Sequence, residues 1–249
     1  MGYDALNLGE AEFLIGKDVL ERIKERSEFP LVSSNLSSPD PLWDPYVIKE
    51  VNGVRIAVMG VLSPALGPGG GKVSVESPID SLRRVMADLS GKADVFVLLS
   101  HMGPEESLAL VREIEGIDIA IISHVTSCSL EAETVGKTLV VSAGEKGGRL
   151  GHFKGVWGKE EKKMLSMSFE NHPLGSDIAD DDGIQQLIMD FTASVNKADS
   201  EEYREKMRRI QPEEDAEIKA MTERTMKMTP EEFFQFYHEE LEERTNIPQ

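Results

Sequence analysis

The 249-residue, 27.6 kDa chain is 40% hydrophobic, which is enough apolar material for one large or two small domains with a real core. It carries 45 acidic against 27 basic residues, a formal charge of −18 that opposes binding to nucleic acid and to anionic membranes and favours cations and basic partners. Its single cysteine, Cys128, excludes intramolecular disulfides and cysteine-based zinc clusters and reads as a small semi-buried hydrophobe.

No apolar run approaches the ~20 residues of a membrane helix, so the chain reads as soluble and globular. Met1-Gly2-Tyr3-Asp4 has neither the basic region nor the apolar region of a signal peptide. The first part of the chain alternates between strands and helices. A helix is predicted over Lys17 to Arg26, then strands over Leu31 to Ser34, Tyr46 to Val51 and Val54 to Val61, the last two joined by the hairpin signal Asn52-Gly53. Next come a helix over Ile79 to Leu89, a strand over Val95 to Ser100, a helix over Pro104 to Ile114, and strands over Ile117 to Ile122 and Thr138 to Ala143. A second hairpin closes around Gly158 to Glu161 between strands Leu150 to Trp157 and Lys163 to Phe169. Hairpins combined with βαβ units predict an α/β fold, a mixed sheet with helices outside it, over residues 1–175.

From Ser176 to Gln249 the pattern becomes all-helical. Asp180 to Asp182 give an acidic start to a stripe of Ile184, Leu187, Ile188, Phe191 and Val195. Ser200, Pro212 and Thr229-Pro230-Glu231-Glu232 mark three further helix starts. This segment holds twenty acidic and nine basic residues, −11 of the total charge. Its amphipathic faces suit docking onto its own domain or onto a partner chain.

Two apolar runs end alike. Val97-Leu98-Leu99 leads into Ser100-His101, and Ile119-Ala120-Ile121-Ile122 leads into Ser123-His124, so two neighbouring strand ends each present one imidazole to a common edge. Neighbouring strand residues point to opposite faces, so the adjacent serines do not make catalytic triads with these histidines.

These residues also carry a family resemblance. Gly2-Tyr3-Asp4-Ala5-Leu6-Asn7-Leu8-Gly9-Glu10-Ala11-Glu12-Phe13 resembles the Gly-Tyr-Asp-Ala-x-x-x-Gly-Asn-His-Glu-Phe motif of the 5′-nucleotidase branch of calcineurin-like metallophosphoesterases. The likeness continues through Phe29 to Asn35, Asn52-Gly53, Leu99 to Gly103, Gly116 to His124 and Ser142 to Gly151, covering roughly residues 2–157. It implies a mixed-sheet sandwich flanked by helices, and a site in which two metal ions about 3.5–4 Å apart polarise a phosphate and generate a hydroxide nucleophile. By the resemblance, His101 and His124 match two histidine ligands. Glu10 replaces the metal-bridging asparagine, Ala11 replaces the catalytic histidine, and Thr126 stands where a further histidine ligand belongs. The family's first ligands lie upstream of Gly2, so the chain is expected to lack the first strands of the sandwich.

The expectation is therefore a degenerate metallophosphoesterase-like domain with no catalytic residue of its own, acting as a binding or scaffold module. Glu10, His101 and His124 would hold at most one zinc or manganese ion. The alternative is a metal-dependent nucleotide hydrolase whose site is completed by an upstream segment or a partner. A chain short of strands would seek a second copy or another polypeptide to complete its sheet. Cytoplasmic residence follows if the chain is complete, and periplasmic residence by family resemblance if an upstream segment is missing. Gly67-Pro68-Gly69-Gly70-Gly71-Lys72 lacks phosphate-loop spacing and reads as a loop, and Gly144 to Arg149 reads as a turn. His152, His172 and His238 have no ligand-like neighbours in the sequence.

Overall fold

The computed structural model describes residues 2–14, 17–67, 73–124, 132–144, 147–175 and 178–198. The chain divides into two units, Met1–Ile178 and Ala179–Gln249. In chain order the first unit contains β1 (Leu6–Asn7), α1 (Ala11–Leu14), α2 (Lys17–Arg26), β2 (Leu31–Val32), β3 (Leu36–Ser37), β4 (Tyr46–Val51) and β5 (Val54–Leu62). A 3-10 turn at Pro64–Leu66 follows, then β6 (Ser74–Val75), α3 (Pro78–Asp88), β7 (Val95–His101), α4 (Pro104–Glu113), β8 (Ile119–Ile122), β9 (Glu133–Val135), β10 (Thr138–Val141), β11 (Arg149–Gly158) and β12 (Lys163–Pro173). In the second unit α5 (Asp182–Ala198) starts at a cap, with Asp181 Oδ1 accepting from the Ile184 N–H at 2.9 Å. The three further helix starts, Cys128, Thr126 and His238 lie outside the described residues.

The centre is a six-stranded sheet in the order β4-β5-β7-β8-β10-β9. Strands β5, β7, β8 and β10 run parallel, and the antiparallel β4 and β9 form its edges. This is the expected mixed sheet. At the β4–β5 turn both Asn52 (φ 54°) and Gly53 (φ 81°) take left-handed backbone, which only a few residue types tolerate and which matches the right-handed twist of the flanking strands. Helix α3 begins on Ser77, whose hydroxyl accepts from the Asp80 N–H, with proline at the first helical position. From α3, Leu82 and Val85 with the following Leu89, and from α4, Leu110 and Val111 with the following Ile114, pack onto Ala57, Met59, Val61, Leu98, Ala120, Ile122 and Val140 of the sheet.

On another part of the sheet the β11–β12 hairpin forms a second layer. Its Phe153, Met167 and Phe169 pack against Ile119, Leu139 and Val141. A third cluster of Leu8, Leu20, Leu31, Leu36, Trp43 and Leu62 binds the N-terminal elements to the end of β5, with the Phe13 ring edge-on to Trp43 at 5.9 Å. Asn35, buried, adds polar stitching. Its amide donates to the carbonyls of Leu62 (2.8 Å) and Glu76 (3.1 Å) and accepts from the Leu62 N–H (2.9 Å), so the side chain satisfies the backbone at the end of β5.

Expected strands differ from the structure mainly at their ends. The strand predicted over Leu31 to Ser34 is a ladder only over Leu31–Val32, because the Ser33 and Ser34 N–H groups turn to single carbonyls, those of Asp44 and Gly60. The strand predicted from Ile117 starts at Ile119, because the Asp118 carboxylate caps the Phe96 N–H (2.8 Å) ahead of the ladder. The short strands β1, β3, β6 and β9 carry no alternation long enough to read and are held by tertiary neighbours.

One close approach positions the segment that leads to Glu10. The Asn7 amide donates to the carbonyls of Val61 (3.0 Å) and Leu99 (3.1 Å), laying β1 across β5 and β7. This is possible because residue 60 is glycine: a Cβ there would lie 2.1 Å from Asn7 Oδ1 and 3.1 Å from the Val32 carbonyl. Gly60→Ala is expected to lower stability by about 1–3 kcal/mol, the usual cost of overpacking, and to weaken metal binding by shifting Glu10. Denaturant unfolding and a zinc titration on one sample check both effects; an unchanged midpoint and affinity would show that β1 is not pinned there.

Candidate metal centre

The site lies at the C-terminal end of the parallel strands. In β7 the buried Ser100 turns inward to the Ser107 hydroxyl of α4 (2.8 Å), which leaves the next residue, His101, pointing to the other side. The parallel pairing of Ser100 with Ile122 then sets Ser123 and His124 alongside His101. His124 has a left-handed backbone, φ 59°, uncommon for a non-glycine residue though histidine is among the types that adopt it most, and the two imidazole ring centres lie 5.3 Å apart, tilted by 59°. Glu10 arrives from the other end of the chain, in the turn between β1 and α1. Its Oε2 lies 2.7 Å from His101 Nε2.

The structure thus brings together Glu10, His101 and His124, whose ligand atoms all lie within 4.8 Å of one another. The carboxylate and the His101 ring are partly buried and His124 is exposed, so the cluster has a solvent-facing side. Partial burial pushes the Glu10 carboxyl upward, but its backbone hydrogen bond and the facing His101 and His124 outweigh this and hold it below the ordinary value. Glu10 is therefore ionised at neutral pH, the state a metal ligand requires.

Ser123 is the site residue that sequence reasoning assigned no role. Its hydroxyl lies 2.9 Å from His101 Nδ1 and also reaches the Ser100 carbonyl at 3.3 Å, so it orients the ring whose Nε2 faces Glu10. The signal for it was the parallel register, which sets the residue after Ile122 opposite His101. Gly9 matters for space: a Cβ there would stand 3.0 Å from the His101 ring. The same Gly9 donates its N–H to Glu12 Oε2 at 2.8 Å, closing the turn that holds Glu10. Ala11, the first residue of α1, offers only a methyl group. Of the weaker candidates, residues 68–72 and 145–146 lie outside the described residues, while Gly144 (φ 83°) and Gly147 (φ 66°) occupy left-handed turn positions.

Two imidazole nitrogens and one carboxylate oxygen are a donor set suited to one divalent ion of borderline softness. A tetrahedral ion with bonds of ~2.1 Å spaces its ligands about 3.4 Å apart. The Glu10–His101 pair stands closer than this, at 2.7 Å, and no pair exceeds 4.8 Å, so small side-chain rotations accommodate one ion.

The expectation that His152 and His172 lack ligand-like neighbours is corrected by the structure. The β11–β12 register pairs His152 with Glu170 and places His172 two residues further along the same strand, and these three also have ligand atoms within 4.8 Å of one another. Seventeen residues lie between His152 and Glu170 in the chain, which is why linear spacing concealed the cluster.

The mixed sheet, its flanking helices and the strand-end histidines define a calcineurin-like metallophosphoesterase fold. Within that class the sequence is similar to metallophosphoesterases and 5′-nucleotidases. It is 33% identical over 143 residues to the uncharacterized metallophosphoesterase YunD of Bacillus subtilis, covering 55% of this chain and 30% of that protein. It is 32% identical over 113 residues to a 5′-nucleotidase of Vibrio cholerae, covering 41% of this chain and 20% of that protein. The 5′-nucleotidase precursor of Thermus thermophilus superposes with a TM-score of 0.68 at 23% identity, over 78% of this chain and 43% of that one. The chain thus spans less than a third of the length of these two curated relatives. No protein-family model matches it. Among the described residues no helix is long and apolar enough to cross a membrane.

Proposed function

We propose that this metallophosphoesterase-like domain binds one divalent ion, zinc or manganese, through Glu10, His101 and His124, and serves as a binding or scaffold module rather than a hydrolase. The supporting observation is the composition of the site: three donor atoms suffice for one ion, and Ala11, at the position of the catalytic histidine by resemblance, cannot donate a proton or stabilise a developing charge. Removal of such a group commonly costs ~10²- to 10⁴-fold in rate. A bound ion would polarise a phosphoryl oxygen; Glu10 and the two imidazoles would orient it, with Ser123 holding the His101 ring in place.

Incubation with manganese, zinc or magnesium and a nucleoside monophosphate tests this reading. The expected result is ion binding without turnover above background. Hydrolysis faster than ~1 s⁻¹, an ordinary enzymatic rate, that disappears in His101→Ala would overturn it. The similarity to a 5′-nucleotidase favours a second reading, a nucleotide hydrolase whose site another segment or chain completes. On that reading a partner chain or second copy covers the sheet around Ile121, which is 39% exposed although β8 is flanked by β7 and β10. Light scattering of the purified chain would then show a dimer or a larger assembly, and a monomer at all concentrations would count against self-association.

A further inference from the structure

We propose a second divalent-metal site, separate from the strand-end cluster, formed by His152, Glu170 and His172 on the outer face of the β11–β12 hairpin and taking zinc or a similar borderline transition ion. The antiparallel register makes it. His152 stands directly opposite Glu170, and His172, two residues beyond Glu170, is opposite Leu150, so all three side chains project from the same face of the ribbon. The imidazole rings are 5.9 Å apart and tilted by 36°, and His172 Nε2 lies 3.5 Å from Glu170 Oε2.

The donor chemistry selects the ion. Two of the three ligands are imidazole nitrogens, which suit zinc, copper or nickel and disfavour calcium and magnesium, which bind through oxygen. With all three residues exposed, water is free to fill the remaining coordination position without loss of buried packing. The −18 charge of the chain adds a general attraction for cations.

The location suggests what the ion does. β11 and β12 pair only with each other among the described residues, and their ladder is broken by a bulge between Val156 and Trp157. The three ligands lie at the open end of the hairpin, away from its turn. An ion there ties the two strands together where a two-stranded ribbon frays most readily.

Zinc titration of the full chain in competition with a chromophoric chelator tests the site. Wild type is expected to take two ions. His152→Ala, His172→Ala and Glu170→Gln should each lose one ion, or weaken it by at least ~10-fold, and keep the other. His124→Ala should lose the other one and leave the hairpin site intact. The hairpin side chains are exposed, so these changes leave no cavity; circular dichroism establishes that each variant is folded. Hydrogen exchange gives a second reading, with zinc slowing amide exchange in residues 149–173 of wild type and of His124→Ala but not of His172→Ala. A zinc stoichiometry and exchange pattern that these three hairpin substitutions do not alter would overturn the proposal.

Discussion

His101→Ala is expected to lower the zinc affinity of the strand-end cluster by at least ~10²-fold, the largest effect of any single change at the site. Outer-shell partners of metal ligands alone typically account for 10- to 100-fold, and His101 is both a ligand candidate and the centre of the cluster's contacts. Its Nε2 faces Glu10 at 2.7 Å and its Nδ1 faces the Ser123 hydroxyl at 2.9 Å. The alanine variant therefore removes one donor atom and releases the turn that carries Glu10. Ser123→Ala should cost less, ~10-fold, because it frees the ring without deleting it. The titration is best made in a His172→Ala background, where the hairpin cluster does not compete for the ion. Equal affinities for His101→Ala and its parent would mean that the cluster does not hold the ion.

Leu98→Ala is expected to destabilise the first unit by about 3–4 kcal/mol, within the range for large-to-small changes in a packed core. Leu98 is fully buried in β7, paired with Met59 of β5 and Ala120 of β8, in the cluster that receives α3 and α4. The surroundings are regular strands and helices that cannot collapse into the space left behind, so the cavity cost adds to the lost transfer energy. Both tryptophans of the chain, Trp43 and Trp157, lie in this unit, so their fluorescence during urea unfolding of the full chain reports on it alone. Leu165→Ala, at a side chain 50% exposed on β12, should change the same midpoint by no more than about 1 kcal/mol. A comparable loss for the two variants would contradict the placement of the core.

The parts of this structure that were legible in the chain are those whose cause is local. Asn52-Gly53 announced the β4–β5 hairpin because two consecutive left-handed residues are a backbone demand that few residue types meet. The stripe on Lys17–Arg26 and the Ser77-Pro78 start of α3 were readable for similar reasons, since capping and side-chain periodicity act within one or two turns. The approach of His101 to His124 was also within reach, because two apolar strands ending alike in a parallel pair bring their next residues to the same edge.

Long-range contacts remained hidden. Nothing near Leu6-Asn7 marks a strand: a two-residue ladder has no period, and it exists because Asn7 finds the carbonyls of Val61 and Leu99 above a glycine at position 60. Ser123 could be placed on a strand end, but not as the partner of His101 Nδ1. The His152–Glu170–His172 cluster shows the limit most clearly, because its ligands meet only through hairpin register, and a slip of one residue would send Glu170 to the opposite face. The amino-acid order alone thus determined the α/β class, most of the longer elements and the candidate imidazoles, through interactions that span a few residues. Which donors stand within bonding distance of one another was decided by tertiary packing and strand register, because those distances depend on contacts between residues far apart in the chain.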